Sequence, residues 1–218
     1  NITVKNYFPS GLLRLSNYIQ FKKDQNIIIK DLKYDVALIC EKFESKKKLW
    51  KSEKLVKDYM KTFKYNIKAA INKNLRLVFI LKSKKKIERE NEINFIKTYL
   101  DKNEVEFFMN NILQEDGENY KSYITIEKSK VVTALYSTML YEKLALDGKF
   151  LACNFTDEES FNFSLDCFFR LIKPSYEEYE NRLLKIIEFQ DENYFNKIKG
   201  KLISNHKELT HKVINSKL

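Results

Sequence analysis

Two hydroxyls, Ser137 and Thr138, stand side by side directly after a short apolar run, and a carboxylate, Glu142, follows about one helical turn later. Hydroxyls that open a helix add donors to its free N–H groups and positive dipole end, which suits a phosphate. A carboxylate one turn on can accept hydrogen bonds from sugar hydroxyls beside that phosphate. A second basic element lies upstream, where Lys82 closes the apolar run LRLVFIL and Lys84, Lys85 and Lys86 follow it. A lysine at the end of a strand can offer its ammonium to a phosphate as a mobile point charge. Each feature has a plainer alternative. The hydroxyl pair can be only a helix cap, Glu142 an ordinary helix-surface glutamate, and residues 82–86 a solvated basic loop. Their combination with Gly148 and a following apolar run favours a ligand.

The elements that would position these residues alternate along the chain. Residues 131–135 are apolar and partly β-branched, as in a buried parallel strand. Leu140, Leu144 and Ala145 then recur at helical spacing, Gly148 suits the C′ position, and residues 150–153 supply the next apolar run. Upstream, 35–40 reads as a strand and 52–73 as a long helix with Leu55, Tyr59, Phe63, Ile67, Ala70 and Ile71 inward. Residues 75–81 read as the second strand, 88–101 as a helix, 105–109 as a third strand and 119–128 as a short helix. Downstream, 154–166 is a polar loop dotted with aromatics, 167–172 a sixth strand, and 174–189 a helix opened by Pro174 and Ser175. The expectation is an α/β fold: a doubly wound, mostly parallel, Rossmann-like sheet of about six strands with extra C-terminal helices. Ligands of such sheets bind outside the carboxyl ends of the strands. That rule places Glu41, Lys82, Asn110, Asn111, Tyr136, Ser137 and Thr138 on the ligand edge.

Composition narrows the partners. The 218 residues carry 40 basic and 30 acidic side chains, a formal charge of +10, which favours anions: nucleotides, nucleic acid or acidic lipid surfaces. The wealth of Lys, Asn, Ile, Phe and Tyr fits an AT-rich genome, so charge alone is weak evidence. Cys40, Cys153 and Cys167 are odd in number and far apart, and read as reduced thiols of a cytoplasmic protein. No zinc spacing exists, and His206 and His211 sit in a polar C-terminal stretch. No apolar run approaches the ~18 residues that span a bilayer, and no signal peptide is recognisable.

The stretch around the hydroxyl pair resembles a known pattern. Ser129, Val131-Val132, Ser137-Thr138, Glu142-Lys143 and Gly148-Lys149 resemble, with one extra residue before Ser137 and one before Gly148, the arrangement S-x-V-V-x-x-x-S-T-x-x-x-E-A-x-x-x-G-K of bacterial surface-carbohydrate glycosyltransferases with the GT-B fold. It is similar in particular to the related CDP-glycerol glycerophosphotransferases. The resemblance covers roughly residues 35–190 and is most specific over 129–154. It implies donor-phosphate contacts from Lys82, Ser137 and Thr138 and ribose contacts from Glu142; the strand-end rule adds Tyr136 to the donor site, with Glu41, Asn110 and Asn111 as further candidates. Two departures stand out: Lys143 replaces a small alanine, and no R-x-H-P segment follows the second strand.

This chain has room for one of the two Rossmann-like halves of a GT-B enzyme. The expected organisation is a connector over 1–33 from a missing N-terminal Rossmann-like domain, a donor-binding domain over 34–190, and helices over 191–218. The leading function is sugar transfer from a nucleotide-sugar to a surface polysaccharide or other glycan or lipid-linked acceptor. No metal or other cofactor is expected, and the catalytic base would lie in the missing half. The expected location is the cytoplasm, with peripheral contact at the inner membrane left open. Two alternatives remain: a basic nucleic-acid-binding module using its 13 Tyr and 16 Phe, or an inactive scaffold of the same fold. The first is disfavoured because the aromatics fall mostly on core-facing positions and no RNA-binding motif is present.

Overall fold

A computed structural model describes residues 13–41, 52–114, 119–164 and 166–190, together with Glu192 and Asn196. The chain divides into two compact units, residues 31–190 and residues 1–30 with 191–218. Within the second unit, α1 (Leu13–Asp24) buries Leu15 and Tyr18. The C-terminal helices expected over 191–199 and 205–216, with both histidines, fall outside the described residues, Glu192 and Asn196 apart.

The unit 31–190 is a parallel sheet between two helical layers. Its strands are β1 (Tyr34–Ile39), β2 (Leu77–Ile80), β3 (Ser129–Ala134), β4 (Lys149–Asn154) and β5 (Arg170–Ile172), in the order β2-β1-β3-β4-β5. All neighbours are parallel, with Val36 paired to Leu77 and to Val131, and Val131 paired to Lys149. The apolar runs of β1 and β2 suit strands buried on both faces. Beyond β2, Ile112 alone bridges Phe79 in parallel. Counting that bridge, the order runs outward from β1 in both directions, the doubly wound Rossmann arrangement.

The expected third strand over 105–109 is instead part of helix α4 (Lys102–Asn110). Asp101 and Glu104 form a reciprocal capping box at its start, which fixes the helix ahead of the β-favouring residues Val105, Phe107 and Phe108. The strand element is reduced to the bridge at Ile112, so the sheet has five strands where about six were expected.

Strand parity assigns the layers. Phe79 of β2 meets Phe108 of α4 at 4.9 Å and Phe63 of α2 (Glu53–Lys73) at 5.9 Å, and Phe63 meets Phe108 at 6.0 Å. On the same face Thr133 of β3 donates to Asn66 of α2. Lys149 of β4 donates to the carbonyls of Ile187 and Phe189 at the end of α7 (Tyr176–Glu188), a cation where the helix has unpaired acceptors. On the opposite face Phe150 packs on Phe163, which stacks on Tyr141 of α6 (Met139–Ala145). Helix α2 starts at Ser52, whose hydroxyl accepts from Leu55 N–H, and ends at Asn74 in the left-handed region. Five residues of its expected stripe are buried, but Ile71 is 56% exposed, one step past the last inward position.

The amino end of the sheet is tied by Asp35. Its carboxylate accepts from Arg76 N at 2.9 Å and Nε at 3.1 Å, and pairs with Lys130 Nζ at 2.8 Å, linking β1 to the starts of β2 and β3. Burial alone would raise this carboxyl, but hydrogen bonds from Arg76 and Lys130 hold it well below the usual carboxylate range. A lowered folded-state value contributes stability above the unfolded value of about 4, and that contribution fades as pH falls below it. Arg76 and Lys130 are partly solvated, so Asp35→Asn is expected to cost about 1–2 kcal/mol at neutral pH. Urea melts from pH 7 to pH 3 check this: the gap between mutant and wild type should shrink on the acid side.

Candidate functional site

The chain leaves β1 for β2 on one side and returns past β1 to β3 on the other, so the winding reverses between β1 and β3. In doubly wound sheets such a reversal is where the flanking helices diverge and where ligands bind, outside the strands' carboxyl ends. Five described segments reach this end of the sheet: Cys40–Glu41 after β1, 81–83 after β2, 135–138 after β3, 155–157 after β4 and 173–174 after β5.

Glu41 is 5% exposed. Its backbone N–H donates to the hydroxyl of Tyr59 at 2.8 Å, and its Oε1 has no hydrogen-bond partner among the described residues. Burial pushes its carboxyl up to about 7, Lys82 pulls the other way, and Glu92 adds to the rise. Lys82 is exposed, but its backbone is fixed. Glu92, on α3 (Lys86–Lys97), is 2% exposed and accepts from Lys82 N at 3.0 Å and from Ser83 N at 2.9 Å. A rigid loop therefore carries a mobile ammonium beside a buried carboxyl.

After β3, Tyr136 is half-buried and stacks on Phe161, with ring centroids 4.7 Å apart and planes 10° off parallel. Burial raises its phenol, with a smaller contribution from Glu41. Phe161 is held by the loop after β4. Asn154 Nδ2 donates to the Glu158 carbonyl at 2.9 Å and to Asn162 Oδ1 at 2.8 Å, while its Oδ1 accepts from both the N–H and the hydroxyl of Thr156. Ser137 is buried and its Oγ accepts from Met139 N at 3.3 Å, a local turn. Thr138 is exposed, has helical dihedrals and makes no side-chain cap. Glu142 is buried on α6.

The fold thus brings Glu41, Lys82, Tyr136 and Ser137 to one end of the sheet, with Thr138 and Glu142 on the segment that follows. Asn110 and Asn111 are elsewhere. They precede the Ile112 bridge, where Asn111 O accepts from Phe79 N, and they line a cavity with Lys33, Tyr34 and Leu77 at the amino ends of β1 and β2. Their placement on the ligand edge depended on a strand over 105–109, and the helix there moves them to the opposite end. A second cavity, of about 240 Å³, lies beyond β4 and β5. Asp157 bonds both Lys54 and Lys173 there, and Phe155 and Tyr65 form its apolar wall.

Three supporting residues were not read from the sequence. Glu92 stands one turn before the buried Ile96 on the inward face of α3, an unusual place for a carboxylate and the signal that could have revealed it. Asn154 ends a strand, where its amide can organise a loop. Lys143 lies on the buried side of α6, with Nζ donating to the carbonyls of Ile126 at 2.6 Å and Ser129 at 2.8 Å.

No family model matches the sequence, and no curated protein matches it. Among solved structures, the chain is similar to a Listeria monocytogenes protein assigned as a UDP-N-acetylglucosamine 2-epimerase, with TM-score 0.50 and 10% sequence identity. The match covers 96% of this chain and 51% of that one, so the chain spans about half that protein's length. At this identity the likeness shows fold alone. It supports an α/β, Rossmann-like fold and lends nothing to the narrower likeness to CDP-glycerol glycerophosphotransferases.

Proposed function

We propose that residues 31–190 bind a nucleotide-sugar at the crevice between β1 and β3, as the donor half of a glycosyltransferase acting on a surface polysaccharide or related glycan. The observation that supports this reading is the convergence of Lys82, Glu41, Tyr136 and Ser137 at the winding reversal of a Rossmann-like sheet. In it, Lys82 offsets phosphate charge in the ground state and on the departing phosphate as the glycosidic bond breaks. Ser137 and Thr138 offer hydroxyl donors, Glu142 accepts from the ribose hydroxyls, and the Tyr136–Phe161 stack carries the base. The acceptor and its general base come from a second Rossmann-like half. The protein then works in the cytoplasm, at the inner face of the membrane when its acceptor is lipid-linked. No helix among the described residues is long and apolar enough to cross a membrane.

Calorimetry with UDP, CDP, CMP, GDP and their sugars tests the reading. One nucleotide class should saturate, and Glu142→Gln should weaken it at least tenfold, about 1.4 kcal/mol. Glu142 is buried, so the exposed Lys82→Ala serves as a second variant with an expected loss of the same order. Absence of nucleotide binding, or binding that neither substitution weakens, overturns the proposal.

A further inference from the structure

The carboxyl of Glu41 sits in an environment that does not suit a permanently charged side chain. It is 95% out of solvent by exposure, its Oε1 lacks a partner among the described residues, and its backbone N–H is already spent on Tyr59. Around it stand the phenol of Tyr59 from α2, Lys82 after β2, Glu92 from α3, Tyr136 after β3 and the thiol of Cys40 on its own strand, with Arg89 of α3 beside that thiol. Among the described residues that act on Glu41, Lys82 favours its charge, and Lys82 is exposed to solvent.

A phosphate drawn to Lys82 competes with Glu41 for that one cation. A phosphate anion beside the buried Glu41 carboxyl disfavours that carboxyl's charge, and the weaker acid takes up a proton. A protonated carboxyl is also a donor, which gives a phosphate oxygen a hydrogen bond that a carboxylate would deny it. We infer that Glu41 is a proton-coupled ligand of this site, binding phosphate-bearing compounds as a neutral carboxylic acid and returning the proton to solvent on release. The inference rests on the nucleotide-sugar reading for its physiological ligand but not for its chemistry. The proton moves from solvent to Glu41 on binding and back on release, with no other reactant. The empty site titrates near neutrality, so uptake is expected to be small at pH 5.5, about half a proton at pH 7 and close to one at pH 8.5. Affinity should then fall by up to tenfold per pH unit above 7.

The experiment is calorimetry of the full chain with UDP, CDP, CMP and inorganic pyrophosphate, in HEPES and in Tris, from pH 5.5 to 8.5, with Glu41→Gln alongside. The two buffers' ionisation heats report protons taken up, and the probe's own phosphate ionisation is common to both proteins and cancels between them. The expected result is more proton uptake in the wild type than in Glu41→Gln, by up to one proton at pH 8.5, and a variant that binds at least as tightly at that pH. Proton-coupled pyrophosphate binding without any nucleotide binding upholds Glu41 and overturns the nucleotide-sugar reading. Nucleotide binding with the same pH profile in both proteins does the reverse. No binding of either probe overturns both. Carbon-13 NMR of glutamate carboxyls in the wild type decides the matter if Glu41→Gln does not fold. One carboxyl should titrate near 7 and move higher with pyrophosphate, and a set that all titrate near 4.5 overturns the inference.

Discussion

Glu92→Ala is expected to destabilise the protein by about 2–5 kcal/mol and to release the loop that carries Lys82. Both oxygens of Glu92 are occupied, one by Lys82 N–H and the other by Ser83 N–H, and the side chain is 2% exposed. Deleting it leaves two largely buried N–H groups without an acceptor, each costing about 1–3 kcal/mol, and opens a void beside Ile96. Glu92→Gln keeps one oxygen and should cost roughly half as much. Denaturant melts measure the loss, and amide exchange at Lys82 and Ser83 should accelerate in step. A loss below about 0.5 kcal/mol in Glu92→Ala would mean that water replaces both bonds. A second readout ties the residue to the crevice. Glu92 is one cause of the raised carboxyl of Glu41, so its removal should move the Glu41 titration down toward the ordinary glutamate range.

Gly148→Ala is the second large effect, expected at about 2 kcal/mol. Helix α6 ends in a Schellman turn whose left-handed residue is Asp147, at φ 59°, with Gly148 N–H donating to the Lys143 carbonyl at 2.9 Å. Gly148 therefore does not occupy the C′ position expected for it. It is needed because the side chain of Lys143 runs over it on the way to the Ile126 and Ser129 carbonyls, and an added Cβ would sit 2.2 Å from Lys143 Cε. In Gly148→Ala the lysine must leave its slot, so Lys143→Ala combined with Gly148→Ala should cost less than the sum of the two singles. Burial lowers the Lys143 ammonium to about 8, with Lys149 acting the same way and Glu127 opposing. Between about pH 8 and 10.5 the unfolded chain thus holds a proton that the folded one has lost, and this group's contribution to stability rises with pH. Expelling Lys143 into water should abolish that rise, which denaturant melts at pH 7.5 and 9.5 would detect.

The same departures show what a single sequence can and cannot convey. β1, β2, β3 and β4 were legible because a strand buried on both faces must be a continuous apolar run, and each such run in 35–40, 75–81, 131–135 and 150–153 became a strand. Helices α2 and α7 were legible from their stripes and from Ser52 and Ser175 at their starts. Residues 105–109 misled because Val and Phe favour strands, whereas the deciding signal was the Asp101–Glu104 pair just before them. That one misreading displaced Asn110 and Asn111 to the wrong end of the sheet. The carboxyl-end positions of Glu41, Lys82, Tyr136 and Ser137 followed from strand direction alone. Glu92 and Asn154 did not, because a carboxylate or amide that supports a loop through space leaves little trace in local spacing.

The sheet's two margins carry a further consequence. It tapers from six-residue strands at its centre to three residues in β5 on one side and a lone bridge at Ile112 on the other. Unpaired backbone at a long, flat margin is a template onto which another chain can add its own strand. Here each margin is too brief to hold a foreign segment in register, and Lys173 directly follows Ile172, the one large apolar side chain that β5 exposes. The tapered shape thereby protects a chain rich in isoleucine and phenylalanine from edge-to-edge aggregation.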